Sequence, residues 1–179
     1  MRYSKINEFE VCNGIGVGCS LFLQGCSMNP HCEHCFNKST WDFNGGYEWT
    51  DKETEQLFEI LRKPYITRIT LLGGESLDQA KELLQLLFKI RNEFPNLKIW
   101  IYSGRTFEEN ISVKDKADCL KLCDVLVDGR FIDELKDLTL AFRGSSNQRI
   151  IDLKKTFKSN KVVLYDLEKE GWHALFLLL

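Results

Sequence analysis

Four short apolar runs, each closed by glycine or a polar residue, constrain this chain more than any other feature. They are "SLFLQG" (Ser20–Gly25), "RITLLGG" (Arg68–Gly74), "KIWIYSG" (Lys98–Gly104) and "DVLVDG" (Asp124–Gly129). Runs that are apolar on both faces suit strands covered on both sides, the condition of a parallel sheet. Between them stand helical patterns with readable starts: "TDKE" (Thr50–Glu53), "SLDQ" (Ser76–Gln79) and "TFEE" (Thr106–Glu109), each with capping-box spacing. "KVVLYDL" (Lys161–Leu167) reads as one more strand. The alternation predicts an α/β fold with a parallel sheet, right-handed crossovers and a ligand at the carboxyl ends of the strands. Those ends carry Cys26, then Gly73-Gly74-Glu75, then Ser103-Gly104, then Asp128-Gly129. That four strand ends coincide with chemically useful residues is an argument for a site that needs no relative.

A length of 179 residues is enough for one domain with a sizeable core, and the reading is a single domain over residues 1–179, with the pattern weakest over 139–179. The 24 basic and 26 acidic residues give a net charge of −2, so no positive field points to nucleic acid or an anionic membrane. The terminal "ALFLLL" is far shorter than the ~20 residues needed to cross a bilayer and is expected to dock as a last strand or to cover an interface. The opening "MRYSKINEFEVCNG" has no apolar signal core, so a cytoplasmic, reducing location is expected. There a cysteine cluster means metal or catalysis more often than disulfides.

That cluster is "QGCSMNPHCEHCFN" (Gln24–Asn37), with the spacing Cys26-x5-Cys32-x2-Cys35. Three thiolates suit a 4Fe-4S cluster with one iron left open for a substrate or cofactor. Zinc, completed by His31 or His34, and unligated redox cysteines are the alternatives. Cys119 and Cys123 are four apart among leucines and read as small core residues on one helical face; a second metal site is the minor alternative. "GIGVG" (Gly14–Gly18) lacks the third glycine and following helix of a dinucleotide fingerprint, and reads as a tight turn instead. The aromatic stretch Trp41, Phe43, Tyr47 and Trp49 reads as packing or as a docking surface for a protein substrate.

Taken with the stretches "GCSMNPHCEHCFNKSTWDF", "LLGGES", "IYSGRTFEE" and "DVLVDGRFIDELKDLTLAFRGSSNQRIIDL", in that order, the chain resembles the radical SAM superfamily. More narrowly it resembles the activating proteins of anaerobic (class III) ribonucleotide reductases. The resemblance implies an incomplete parallel (β/α) barrel of the radical SAM type. It implies that Cys26, Cys32 and Cys35 bind three irons of a 4Fe-4S cluster while S-adenosylmethionine chelates the fourth. Reductive cleavage then yields a 5′-deoxyadenosyl radical that takes a hydrogen from a glycine of the reductase. The partners implied are that glycyl-radical protein and an electron donor such as flavodoxin or ferredoxin. Gly73, Gly74 and Glu75 fall where the methionine moiety binds, and His34, Cys35 and Phe36 where the adenine lies; Ser103 and Asp128 are candidates for ribose or carboxylate contacts. Activation of another glycyl-radical enzyme, a different radical SAM modification, and a non-catalytic zinc or iron–sulfur module are the rival functions. Two departures stand out. The family's loop is C-x3-C-x2-C, two residues shorter, and Arg105 occupies a position where an aromatic residue is usual. A histidine in such a loop, His31, is expected to be solvated.

Overall fold

The computed structural model describes residues 1–171, so the terminal "ALFLLL" lies outside the described residues. Seven strands form one sheet in the order β3-β1-β2-β4-β5-β6-β7. They are β1 (Arg2–Glu10), β2 (Gly18–Leu23), β3 (Tyr47–Glu48), β4 (Arg68–Gly73), β5 (Lys98–Tyr102), β6 (Val125–Asp128) and β7 (Arg149–Asp152). The helices are α1 (Asp51–Leu61), α2 (Ala80–Glu93), α3 (Phe107–Ile111), α4 (Lys114–Leu122) and α5 (Leu153–Ser159). β2, β4, β5 and β6 run parallel, and these are the four runs the sequence marks. β1, β3 and β7 pair antiparallel at the two sides, so the sheet is mixed rather than wholly parallel.

Every residue of β2 and β6 is buried, as strands covered on both faces require. Alternation sorts their side chains into two layers. Cys19, Leu21, Leu23, Ile69, Leu71, Ile99, Ile101 and Leu126 meet the apolar stripes of the helices, including Leu57, Leu83, Leu87 and Ile90, in the main core. Two helix starts are capping boxes as expected: Thr50 with Glu53 opens α1, and Thr106 with Glu109 opens α3. The third differs. Ser76–Gln79 is a single 3-10 turn ahead of α2, and its cap is Glu75, whose carboxylate accepts from the Leu77 N–H. The expected strand at Lys161–Leu167 is reduced to one bridge, Leu164 to Ile151, on the outer side of β7.

The opposite face of the sheet is filled only at its foot. There Arg68, fully buried, pairs with Glu10 and donates to Thr70 Oγ1 at 2.7 Å, while Ser20 Oγ donates to Glu10 Oε1 at 2.9 Å. A buried guanidinium is tolerable only when paired and hydrogen-bonded in this way. Burial pushes the Glu10 carboxyl up, but hydrogen bonding and charge from Arg68 outweigh it and leave the pKa below the ordinary value. Gly18 shows what the glycine-rich turn provides: a Cβ there would stand 2.4 Å from Arg68 Nη1. Trp100, Val125, Val127 and Ile150 close the same foot as a second apolar cluster, with Phe142 edge-on to Trp100 at 5.4 Å. Among the described residues, a cavity occupies the head of this face. No helix among the described residues is long and apolar enough to cross a membrane.

Candidate cluster and cofactor site

The cysteine loop leaves β2 through a fastened stem. Gln24, 1% exposed, donates from Nε2 to the carbonyls of Ser39 (3.0 Å) and Asp42 (2.8 Å). Gly25 N–H and Cys26 N–H donate to Thr40 and Trp41 carbonyls at 2.7 and 3.0 Å. Both ends of the loop are thus tied together, the arrangement of a compact surface loop whose tip is free to carry chemistry.

The β4 exit packs backbone to backbone against this stem. Gly74 N–H donates to Leu23 O at 2.9 Å and Glu75 N–H to Gly25 O at 2.8 Å. Gly73 has φ of +124°, and a Cβ on Gly74 would meet Gly25 O at 2.1 Å. Only glycine fits that approach. The pair therefore has a structural reason to exist beside any ligand.

Above the head of the sheet lies this cavity of about 240 Å³ at the carboxyl ends of the parallel strands. The cysteine loop contributes Cys26, Met28, Cys32, His34, Cys35 and Phe36; the strand exits contribute Gly73, Gly74, Glu75, Ser103, Gly104 and Gly129. All three thiols are free and half-buried. They share the cavity without converging: among the described residues no group of three His, Cys, Asp or Glu side chains is arranged to hold a metal ion. The donor chemistry fits a thiophilic iron–sulfur group, three sulfurs on one loop facing one cavity.

Burial pushes the Cys26 thiol above its ordinary pKa. Burial also raises Glu75, 1% exposed, against hydrogen bonds from Ser103 and from the Gly104 N–H at 2.7 Å. The carboxylate of Glu75 is thus engaged by the Gly104 N–H at the β5 exit and by the Leu77 N–H of its own turn, while Gly73, Gly74 and Glu75 line the cavity.

Every sequence-nominated residue except Asp128 lines this cavity. Asp128 is 1% exposed and spoken for: it accepts from the Phe107 N–H at 2.6 Å and from Arg149 Nε at 3.0 Å. Arg149, whose pKa rises through Asp128 and Glu108, locks β7 to β6 and α3. The ring of His31 does not reach the cavity, nor is it simply solvated. It stacks on Trp41 at 3.9 Å, with Nε2 3.1 Å from Cys26 O. Arg105 pairs with Asp78.

Sequence reasoning missed Met28, Tyr102, Phe131, Gly144 and Gln148 as lining residues. All five sit within stretches the sequence already marks, but none was singled out there. Gln148 accepts from the Gly144 N–H at 2.8 Å and donates to Gly129 O at 2.9 Å, which folds "FRGSSNQR" back over the β6 exit. No local signal identifies Phe131 or Met28.

Residues 12–151 match the family model described as a 4Fe-4S single cluster domain. Among curated relatives, the anaerobic ribonucleoside-triphosphate reductase-activating protein of Escherichia coli (strain K12) is 37% identical over 159 residues, covering 86% of this chain and 100% of the relative. The protein of the same name from Vibrio cholerae is 36% identical, covering 84% of this chain and 97% of the relative. That of Enterobacteria phage T4 is 35% identical, with coverage of 84% and 93%.

Proposed function

Because the chain belongs to the 4Fe-4S single cluster domain family and to that of the anaerobic ribonucleoside-triphosphate reductase-activating proteins, we propose that it activates an anaerobic ribonucleotide reductase by radical SAM chemistry. We read the sheet as an incomplete (β/α) barrel of that type, a reading supported by its four parallel strands, its helices on one face and the cavity at the strands' carboxyl ends. The observation that carries the proposal is the meeting of three loop thiols and the two-glycine turn on one cavity.

In this reading Cys26, Cys32 and Cys35 hold a 4Fe-4S cluster as thiolates. Bound and reduced, the cluster would supply the electron that cleaves S-adenosylmethionine to methionine and a 5′-deoxyadenosyl radical, which would take the hydrogen atom from a glycine of the reductase. The chain's own residues bind and orient. The backbone carbonyls of the Gly73-Gly74 turn accept from the cofactor's ammonium, since the Glu75 carboxylate already accepts from Gly104. His34 and Phe36 flank the adenine; Phe36 is 85% exposed, as a group awaiting a planar partner would be. The Ser103 hydroxyl, like the Asp128 carboxylate, is engaged by its own neighbours, accepting from the Arg105 N–H at 3.1 Å and from Asn110 Nδ2 at 3.0 Å, so the ribose or carboxylate side is left to the backbone at this strand exit. The cavity's open mouth admits a segment of a protein substrate. An electron donor such as flavodoxin or ferredoxin completes the cycle in the cytoplasm.

The test is anaerobic iron–sulfur reconstitution followed by reductant and S-adenosylmethionine, with and without the reductase. The expected results are about four irons per chain, 5′-deoxyadenosine, and a glycyl-radical EPR doublet on the reductase. Tight binding of one zinc with no 5′-deoxyadenosine would overturn the proposal in favour of a non-catalytic module. Cleavage without the doublet would move it to another radical SAM substrate.

A further inference from the structure

We propose that Arg105 is a positioning residue: with Asp78 it clamps Ser27, the neighbour of Cys26, and so holds the first arm of the cysteine loop over the cavity. Five residues separate Cys26 from Cys32, and an arm of that length explores many conformations unless something outside it supplies a hold. The hold is built from both sides of one residue. Asp78 Oδ2 accepts from the Ser27 N–H at 2.7 Å, and Arg105 Nη2 donates to Ser27 Oγ at 2.7 Å. The two clamp residues are joined to each other, Arg105 Nη1 donating to Asp78 Oδ1 at 3.1 Å, and Lys116 Nζ adds a further bond to that oxygen at 3.2 Å.

Exposure decides that this is more than a surface ion pair. The side chain of Asp78 is 7% exposed and that of Arg105 is 22% exposed, so the charges are partly shielded from water and from salt. The guanidinium is a rigid fork that meets a carboxylate and a hydroxyl at once, which a lysine ammonium on a flexible stem does with a larger entropic loss. Arg105 Nη1 also stands 3.8 Å from Glu75 Oε2. A single side chain at the β5 exit therefore ties the β4 exit to the cysteine loop. The far end of the arm is held separately by the His31–Trp41 stack. Ser27 is thus held by Asp78 and Arg105, and the Cys26 carbonyl lies 3.1 Å from His31 Nε2.

This inference rests on the proposed function for the purpose of the loop, so its test reads the loop directly. Amide hydrogen exchange is followed on the full-length iron-free chain, comparing residues 26–36 with β5. In Arg105→Ala, exchange at Cys26 and Ser27, whose N–Hs donate to Trp41 O and Asp78 Oδ2, should accelerate at least about tenfold, the loss expected of one hydrogen bond to a charged group, with β5 unchanged. Arg105→Lys should fall between, and Ser27→Ala added to Arg105→Ala should bring no further acceleration of the arm. After reconstitution, Arg105→Ala should raise KM for S-adenosylmethionine more than it lowers kcat. Unchanged exchange at Cys26 and Ser27, or equal acceleration in β5, would overturn the clamp. If the wild-type chain fails to cleave S-adenosylmethionine, the proposed function falls while the exchange data still decide the clamp.

Discussion

Two sets of three cysteines sit within one small molecule and have opposite surroundings. Cys19, Cys119 and Cys123 are fully buried, on β2, on α4 and at the end of α4. Cys26, Cys32 and Cys35 are half-buried on a loop around a cavity. Burial pushes the thiols of Cys19 and Cys119 up to about 12, and that of Cys123 higher still. A thiol held neutral is a small apolar packing unit; only the thiolate ligates metal or attacks. The difference lies wholly in position, since the side chain is the same.

The strongest way to break that contrast is to remove a loop thiol. Cys26→Ala, Cys32→Ala or Cys35→Ala should each lower bound iron from about four per chain to below about one, and abolish reductive cleavage of S-adenosylmethionine. Iron analysis and a 5′-deoxyadenosine assay check this; a loop variant that keeps both would remove that residue from the ligand set. Reactivity tests the same contrast without metal. In the iron-free chain near pH 8, iodoacetamide should label Cys32 and Cys35 at least about a hundredfold faster than Cys19, Cys119 or Cys123, with Cys26, whose thiol burial also pushes up, in between, until denaturant exposes the buried three. Peptide mapping would show the reverse order if the burial argument failed.

A smaller effect is expected on the buried side. Cys119 Sγ donates to Ala80 O at 3.2 Å, and Cys119→Ala should cost about 1–2 kcal/mol through the lost packing while leaving iron content unchanged. Denaturant unfolding reads the first and iron analysis the second. Loss of iron in that variant would merge the two sets.

The smallest effect concerns Glu10, whose charge adds to burial in raising Cys19. Its folded pKa lies below the ordinary 4.5, so its pairing with Arg68 stabilises the fold above that pH and the contribution is lost as pH falls through the folded value. Thermal unfolding between pH 7 and pH 3 should show a shallower acid limb in Glu10→Gln than in wild type. Parallel limbs would show that the Glu10–Arg68 pair does not set the acid response.

The central strands were legible because each is a dense apolar run, and β2, β4, β5 and β6 stand where those runs do. β1 was not, because "RYSKINEFE" is half-buried along most of its length and carries no clean alternation. β3 is two residues long, and β7, as short as β6, has only Ile150 and Ile151 between charged residues and so no dense apolar run. The Ser76 box misplaced a cap by one residue: Glu75 provides the acceptor, and the buried Ser76 hydroxyl has no partner among the described residues. At the site, the cysteines and the two-glycine turn were readable as spacing. Asp128 was nominated by its place at a strand end, which says nothing of where its carboxylate turns; Arg149, twenty-one residues on, claims it.

By itself the sequence determined the chemistry available: a three-thiol loop after one strand, a two-glycine turn after the next, and apolar runs able to build the sheet beneath them. Such properties are local, carried by residue type and short-range spacing. The core place of Cys119 and Cys123 was readable from their spacing, but that of Cys19, which carboxylates are already engaged and what restrains the long cysteine arm were decided only by the tertiary structure. Those outcomes depend on groups far apart in the chain, as Ser27 and Arg105 are, and on how much water the packed fold leaves around each of them.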